Sequence, residues 1–527
     1  MRSETIRRIE SITAVGFSLL ALVLLGIRAT HAGALWRDEC NTALTATMPF
    51  PELLRFFQFD SFPVPFYAAL RGYIALAGDS DASLRIFGAL VGVSLLSVAW
   101  WSARRLSADV PLAFLTLAVL NPAFLIWGTT IRAYGVGSVM IVFAFAATAD
   151  FLVHRTSRSA FFMYIAFVAA VQSLVSNTVL VFAICVGATA VSFWRGDRKS
   201  VAVIAGALAV AASSFLPYLV TYFKMGWHVL LQTSSSLTAW WQTLRDSFGV
   251  GNPATAMAWL GLMLSAVFIH RLRIRRHEGS PISSFALLAA IASLAGGCIF
   301  FKLLSYLPNE WYFLPFICLL ASALELGGLS LVASDAVRIG RLLVCILAVA
   351  GTWWWNWPTL TMRQSNADLI AHWLQSHART DDLIIVNPWF FGVSFNRYYS
   401  GASRWLTLPI LSDRRIHRYD LLRERMSEED AVADLRSTIE NTLRNGGRVY
   451  LVGCAHWLAQ GEQAVVLPPA PRSKYGWNFL PYTIAWSQQV ADFLVKHVQT
   501  GATLPPFGEH INPQEDIPLC QVEGWRD

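Results

Sequence analysis

The chain has 527 residues, of which 55% are hydrophobic and only 14% charged, and its formal net charge is +7. A soluble domain of ordinary composition carries about 25% charged residues, so this balance excludes a soluble globular protein and indicates an integral membrane one. The basic excess is no nucleic-acid signature, because most Arg and Lys lie in short connections between apolar runs, where they set orientation in a bilayer.

A membrane-crossing helix needs about 20 apolar residues. By that measure there are about eleven spans, near 11–29, 83–102, 108–127, 132–153, 160–176, 177–193, 200–220, 253–270, 283–302, 309–330 and 339–357. Arg2, Arg7 and Arg8 ahead of the first span, with Ala32-Gly33-Ala34 after it, have the outline of an export signal; the length of the apolar run and the spans that follow favour an uncleaved first helix. Basic clusters then recur after the second (Arg104, Arg105), fourth (His154, Arg155, Arg158), sixth (Arg195, Arg198, Lys199) and eighth spans (Arg271, Arg273, Arg275, Arg276), and before the last (Arg338, Arg341). With this count all of them fall on one side. The positive-inside rule makes that side the cytoplasm, which puts the amino-terminus inside and the segment after Trp357 outside.

The first outer loop, 30–82, holds two amphipathic stretches, Met48 to Phe59 and Pro65 to Ala77, suited to helices lying in the interface. After residue 357 the long apolar runs stop and charge density rises. Ser365-Asn366-Ala367-Asp368 has the pattern of a capping box. Leu383 to Val386, Arg404 to Leu408 and Arg448 to Val452 read as strands. Asp420 to Arg444, closed by Gly446-Gly447, and Ile484 to Val498 read as helices. The expected fold is therefore a polytopic α-helical membrane protein, 1–357, with an extracytoplasmic soluble α/β domain, 358–527. That domain has neither GxGxxG nor a Walker motif, and seven cysteines without CxxC spacing give no zinc or redox motif; Cys454 and Cys520 are a candidate pair in an oxidising compartment.

Chemistry is expected first at Leu35-Trp36-Arg37-Asp38-Glu39-Cys40-Asn41, directly after the first span. Two carboxylates tethered at the membrane surface either cap a helix, stay solvated or act on a substrate. Other polar residues near outer span ends are Asp60, Arg85, Arg132, Tyr134, Lys302, Tyr306, Glu310 and Tyr312. A cation there suits a lipid-borne anion and a carboxylate suits a hydroxyl. Arg132 alternatively snorkels to headgroups, Lys302 alternatively pairs with Glu310, and the tyrosines alternatively belong to the interfacial belt. Transport is the competing class. Transporters place ionisable groups near the midplane, whereas Glu325 and Asp150 lie toward span ends.

These residues resemble the GT-C superfamily of membrane glycosyltransferases, in particular its dolichyl-phosphate-mannose mannosyltransferase-like and aminoarabinose-transferase-like group. Trp36-Arg37-Asp38-Glu39 is similar to its first-loop acidic motif, and Asp60-Ser61-Phe62-Pro63-Val64-Pro65-Phe66-Tyr67 to its D-x-H-P-P-L-Y-Y stretch. Gly78 to Arg85 resembles the entry to its second span, Ile131-Arg132-Ala133-Tyr134 its R-x-Y, and Tyr312-Phe313-Leu314-Pro315 its late R-Y-x-x-P. The resemblance covers about 1–357. Phe62 departs from the family's His, Pro65 is displaced, and Glu310-Trp311 stand where an Arg is common.

The resemblance implies an inverting glycosyltransferase in the cell membrane. It would move a hexosyl or pentosyl group from a polyprenyl-phosphate-linked donor to a glycan, lipid or protein acceptor at the outer face. It implies Asp38 as the base, with Glu39 as second choice or partner. Arg132 and Lys302 would stabilise the leaving phosphate, Tyr134 and Tyr312 would hold sugar and lipid, and Asp60 and Arg85 belong to the substrate-binding set. It leaves the use of a divalent metal open. A transporter or flippase of lipid-linked sugars is the alternative.

Overall fold

The computed structural model describes residues 2–56, 62–106, 110–225, 236–249, 251–275, 281–303, 307–329, 335–453, 455–459, 461–470 and 478–527. Its helices begin with α1 (Arg2–His31), α2 (Arg37–Thr47), α3 (Phe50–Phe56), α4 (Val64–Ala77), α5 (Asp81–Arg105), the single turn α6 (Leu112–Phe114) and α7 (Ala133–His154). They continue with α8 (Ser157–Ser173), α9 (Asn177–Trp194), α10 (Arg198–Met225), α11 (Leu237–Ser247), α12 (Pro253–Arg275), α13 (Pro281–Leu303), α14 (Leu314–Leu324) and α15 (Asp335–Thr361). The chain then forms α16 (Ala367–His377), α17 (Phe391–Tyr398), α18 (Tyr419–Met426), α19 (Ala433–Arg444) and α20 (Phe479–His497), interleaved with five strands. Two compact units result: residues 1–30, 61–224 and 235–361 form one, and 31–60, 225–234 and 362–527 the other.

The first unit is the membrane bundle. Among the described residues, eight helices are long and apolar enough to cross a bilayer, drawn from α1, α5, α7, α9, α10, α13, α14 and α15. The other three expected spans are helical but different. Helix α8 has 17 residues and the apolar part of α12 ends at Ile269. The segment expected as one span over 108–127 is instead α6 followed by two π-helical turns, Leu115–Val119 and Phe124–Gly128. The interruption is local chemistry. Pro122 lacks an N–H, and Asn121 Oδ1 accepts from the Ala123 N–H at 2.8 Å instead of letting the helix run on. Residues 110–128 are buried throughout, which is why this stretch reads as apolar all round. The break between α8 and α9 falls where the sequence suggested it; Asn177 Nδ2 donates to the carbonyls of Gly137 and Ala170 at 3.0 and 3.1 Å.

Buried charges in this bundle are paired near helix ends. Glu10 accepts from Arg338 Nη1 at 2.6 Å and from Arg341 Nη2 at 2.7 Å. Arg341 Nη1 also reaches Glu325 Oε1 at 3.3 Å, and the other Glu325 oxygen accepts from the Ala113 and Phe114 N–H groups at 2.6 and 3.0 Å. The starts of α1, α15 and α6 and the end of α14 thus meet at one end of the bundle. Arg105, the last residue of α5, bonds Asp150 at 2.6 Å. Isolated buried ions would cost several kcal/mol each; pairing removes most of that penalty and fixes which helix ends adjoin.

The second unit is a three-layer α/β/α domain that includes residues 31–60. Its sheet has the order β2-β1-β3-β5-β4, with β1 (Leu383–Val386), β2 (Arg404–Thr407), β3 (Val449–Val452), β4 (Val498–Thr503) and β5 (Leu519–Trp525). Strands β2, β1 and β3 are parallel, with Ile385 opposite both Leu406 and Leu451; β5 runs antiparallel to β3, and β4 to β5. Side chains alternate across a strand. Leu383, Ile385, Val449 and Leu451 therefore pack one way against α18, α19 and α20, through Leu422, Leu435, Ile439, Val490 and Leu494. Ile384, Val386, Tyr450 and Val452 face the other way, onto Ala367, Ile370 and Leu374 of α16 and Phe395 of α17.

Three expectations change here. The helix read over Asp420 to Arg444 is two helices, α18 and α19, separated around Ser427 to Val432. The capping box at 365–368 does not close: the Ser365 hydroxyl accepts from the Ala367 N–H at 3.0 Å, while Asp368 pairs with Arg363. Two further strands, β4 and β5, follow α20. Cys454 lies outside the described residues, and with it the candidate pairing to Cys520.

Candidate functional site

Residues 31–41 are held by the α/β unit. Gly33 takes φ of +60°, and a Cβ there would lie 2.6 Å from the Arg363 guanidinium, so only glycine fits. The Gln364 N–H donates to the Ala32 carbonyl at 2.8 Å, and the Leu35 N–H to the Tyr398 hydroxyl at 2.7 Å. Trp36 is the N-cap of α2, so Arg37, Asp38 and Glu39 form its first turn rather than an open loop. The partial positive charge of a helix start favours carboxylates there.

The two acids have different surroundings. Glu39 is fully buried, and its Oε2 accepts from the Trp36 N–H at 3.4 Å, the reach-back of an N-terminal cap. The Asp38 side chain keeps 21% exposure, and its Oδ1 lies 3.2 Å from His417 Nε2. His417 stands just before α18, and its N–H donates to Asn41 Oδ1 at 3.1 Å. Arg37 does not face Asp38's partner. Its backbone N–H and Nη1 both donate to Glu515 Oε2, at 2.9 and 3.3 Å, and its guanidinium stacks over Phe390 at 4.9 Å. Glu515 is completely buried and also accepts from the Ser365 hydroxyl at 2.9 Å. Burial pushes its carboxyl above the ordinary glutamate range, with Arg37 pulling the other way.

In the membrane unit a second cluster forms. Arg132 is the N-cap residue of α7 and its guanidinium lies 4.4 Å from the Phe62 ring centre, a cation–π geometry. Phe62 meets Tyr134 edge-on at 5.4 Å, and Tyr134 meets Tyr312 at 5.3 Å and Trp311 at 6.5 Å. Trp311 continues to Trp127 at 4.7 Å, whose indole N–H donates to Glu310 at 3.0 Å. Phe62, Tyr134, Trp127 and Trp311 are buried, while Arg132 and Tyr312 are half-buried. The cluster therefore presents a guanidinium and a phenol at its rim. An apolar cavity of about 490 Å³ lies elsewhere in this unit, between α11, α12, α13 and α14, lined by Trp241, Phe248, Trp259, Met263, Leu294 and Leu320.

No protein-family model matches the sequence, and no curated protein matches it significantly. Solved structures do match. ArnT from Cupriavidus metallidurans in the apo state aligns over 84% of this chain and 93% of that one, with a TM-score of 0.53 at 14% identity. The same protein bound to undecaprenyl phosphate aligns over 83% and 92%, with a TM-score of 0.51 at 13% identity.

The chain shares the fold of these ArnT structures.

Within this fold the expected site residues fall into distinct places. Arg132, Tyr134 and Tyr312 come together in the membrane unit. Asp38 and Glu39 lie in the α/β unit, with different neighbours. Arg85 is buried near the start of α5. Lys302 is exposed near the end of α13, and Glu310 engages Trp127. Asp60 and Tyr306 lie outside the described residues. Among the described residues no group of three His, Cys, Asp or Glu side chains is placed to hold a metal ion. The departure at Phe62 is filled by packing, since its ring supports Arg132. Asn41 was visible only as the end of the Leu35–Asn41 stretch, and His417 went unrecognised in the sequence; it lies 379 residues from Asp38, beyond any spacing signal.

Proposed function

We propose that this protein is an inverting glycosyltransferase that moves a sugar from a polyprenyl-phosphate donor to a hydroxyl of a glycan, lipid or protein acceptor. The observation that carries this reading is Asp38: a partly exposed carboxylate fixed at a helix start and hydrogen-bonded to an imidazole, beside a fully buried Glu39 that reaches back to the N-cap. Asp38 takes the proton of the acceptor hydroxyl as its oxygen attacks the anomeric carbon. The bond from that carbon to the phosphate oxygen breaks, the electron pair leaves with the polyprenyl phosphate, and the configuration inverts. Arg132 meets the charge that develops on the phosphate, with Lys302 as a further cation. Tyr134 and Tyr312 present aromatic surface to the sugar. The 490 Å³ apolar cavity suits part of an isoprenoid chain.

The ArnT structure with undecaprenyl phosphate supports a donor of this class. The loop charges support a cytoplasmic amino-terminus and an outer-face reaction, with 358–527 as the extracytoplasmic domain. The test is full-length protein in lipid vesicles with a polyprenyl-phosphate-linked sugar and candidate acceptors. Release of free polyprenyl phosphate with transfer of the sugar supports the reading. Passage of the intact donor across the bilayer without bond cleavage contradicts it and favours a flippase.

A further inference from the structure

We propose that His417 is a positioning residue for Asp38, donating an Nε2–H bond that keeps the carboxylate ionised and aimed. This rests on the reading of Asp38 as the base.

The contact is built rather than incidental. His417 is 8% exposed, and its segment is tied to α2 at two points: the Nε2 contact to Asp38 at 3.2 Å and the backbone N–H bond to Asn41 at 3.1 Å. Trp389 stands edge-on to the imidazole at 6.0 Å and 89°, and Tyr419 lies at 6.1 Å. These rings limit the imidazole's rotation. Its Nδ1 is buried and makes no hydrogen bond. A bare Nδ1 lone pair costs less when buried than an unmet N–H, which favours a ring proton on Nε2, facing Asp38.

Among the described residues, the titratable groups packed against the ring are Asp38 from α2 and the Tyr419 phenol from its own segment. Charges nearby on that segment neutralise one another: Arg418 bonds Asp413 at 3.1 Å and Asp420 at 2.7 Å, and Arg415 bonds Asp413 at 3.1 Å. Asp38 is therefore the one anion among these groups that the imidazole N–H meets.

A donor to the ionised form lowers a carboxylate's pKa and fixes its direction. His417→Phe keeps an aromatic ring and loses the donor; His417→Gln places an amide N–H close to where Nε2 stood. The assay is donor cleavage by the full chain in vesicles, with kcat and KM measured across pH and the unfolding temperature of each variant recorded. His417→Phe is expected to lower kcat on the order of 10-fold, the worth of one hydrogen bond to a charged group, with KM within about 3-fold. The acidic limb of kcat should move up by about one pH unit, because a tenfold change in ionisation is one unit. His417→Gln should restore kcat and the limb. An unmoved limb in His417→Phe, or a His417→Gln no better than His417→Phe, overturns the proposal. Full activity in Asp38→Asn would instead overturn the assignment of the base.

Discussion

Glu515→Ala tests how the turn bearing Asp38 is held. The Glu515 carboxylate is fully enclosed and takes the Arg37 backbone N–H at 2.9 Å, Arg37 Nη1 at 3.3 Å and the Ser365 hydroxyl at 2.9 Å, with the Ser394 hydroxyl as a further partner. A hydrogen bond from a charged donor contributes about 1.5–3 kcal/mol and a neutral one about 1. Removing the acceptor should therefore cost about 3–5 kcal/mol, the range for breaking a buried ion pair from one side. Glu515→Gln keeps the shape and one acceptor oxygen, so it should cost less. Burial raises the folded-state pKa of this carboxyl, so the folded chain holds the proton at pH values where the unfolded chain has released it. Wild type should thus lose stability relative to Glu515→Gln as pH rises through and above about 4.3, the ordinary glutamate value. Thermal unfolding of the solubilised full chain reads the stability, and donor cleavage reads the site. An Ala variant that melts with wild type, or one that melts early but keeps full activity in its folded fraction, would refute this account of the turn.

Two further outcomes follow from the geometry. Asp382 is enclosed; burial works against its ionisation, but the Arg448 side chain at 2.7 Å and backbone N–H groups of Arg379 and Arg448 hold its pKa below the ordinary range. Its contribution is then complete above about pH 3.9 and fades as pH falls below that; Asp382→Asn should lose about 3 kcal/mol at neutral pH and show a weaker acid dependence, read by unfolding between pH 2 and 7. Arg132→Ala removes both the cation–π contact and the charge assigned to the phosphate, so kcat should fall on the order of 10²-fold or more, while Arg132→Lys, which lacks the planar fork, should recover only part; equal activity of all three in donor cleavage would remove Arg132 from the phosphate site.

The bundle was legible because bilayer length and loop charge act locally on the chain. The three parallel strands were legible because buried strands are short apolar runs. The rest depended on partners far away in sequence. Strand β4, Val498 to Thr503, is polar and largely exposed at the sheet edge, so it gave no apolar signal. Asn121-Pro122 broke a segment whose hydropathy alone reads as one span. At the site, Arg132, Tyr134 and Tyr312 were visible as polar residues at span ends, yet their meeting over Phe62 depends on packing. The difference between Asp38 and Glu39 was invisible in sequence, because adjacent helical residues point about 100° apart and only the fold shows which one meets His417.

The proton transfer assigned to Asp38 is tested most directly by single-turnover donor cleavage in wild type and Asp38→Asn, with donor binding and unfolding temperature measured alongside. Loss of the cleavage rate by about 10²–10⁴-fold, with donor affinity and folding unchanged, is the predicted result. Cleavage by Asp38→Asn at the wild-type rate would contradict it.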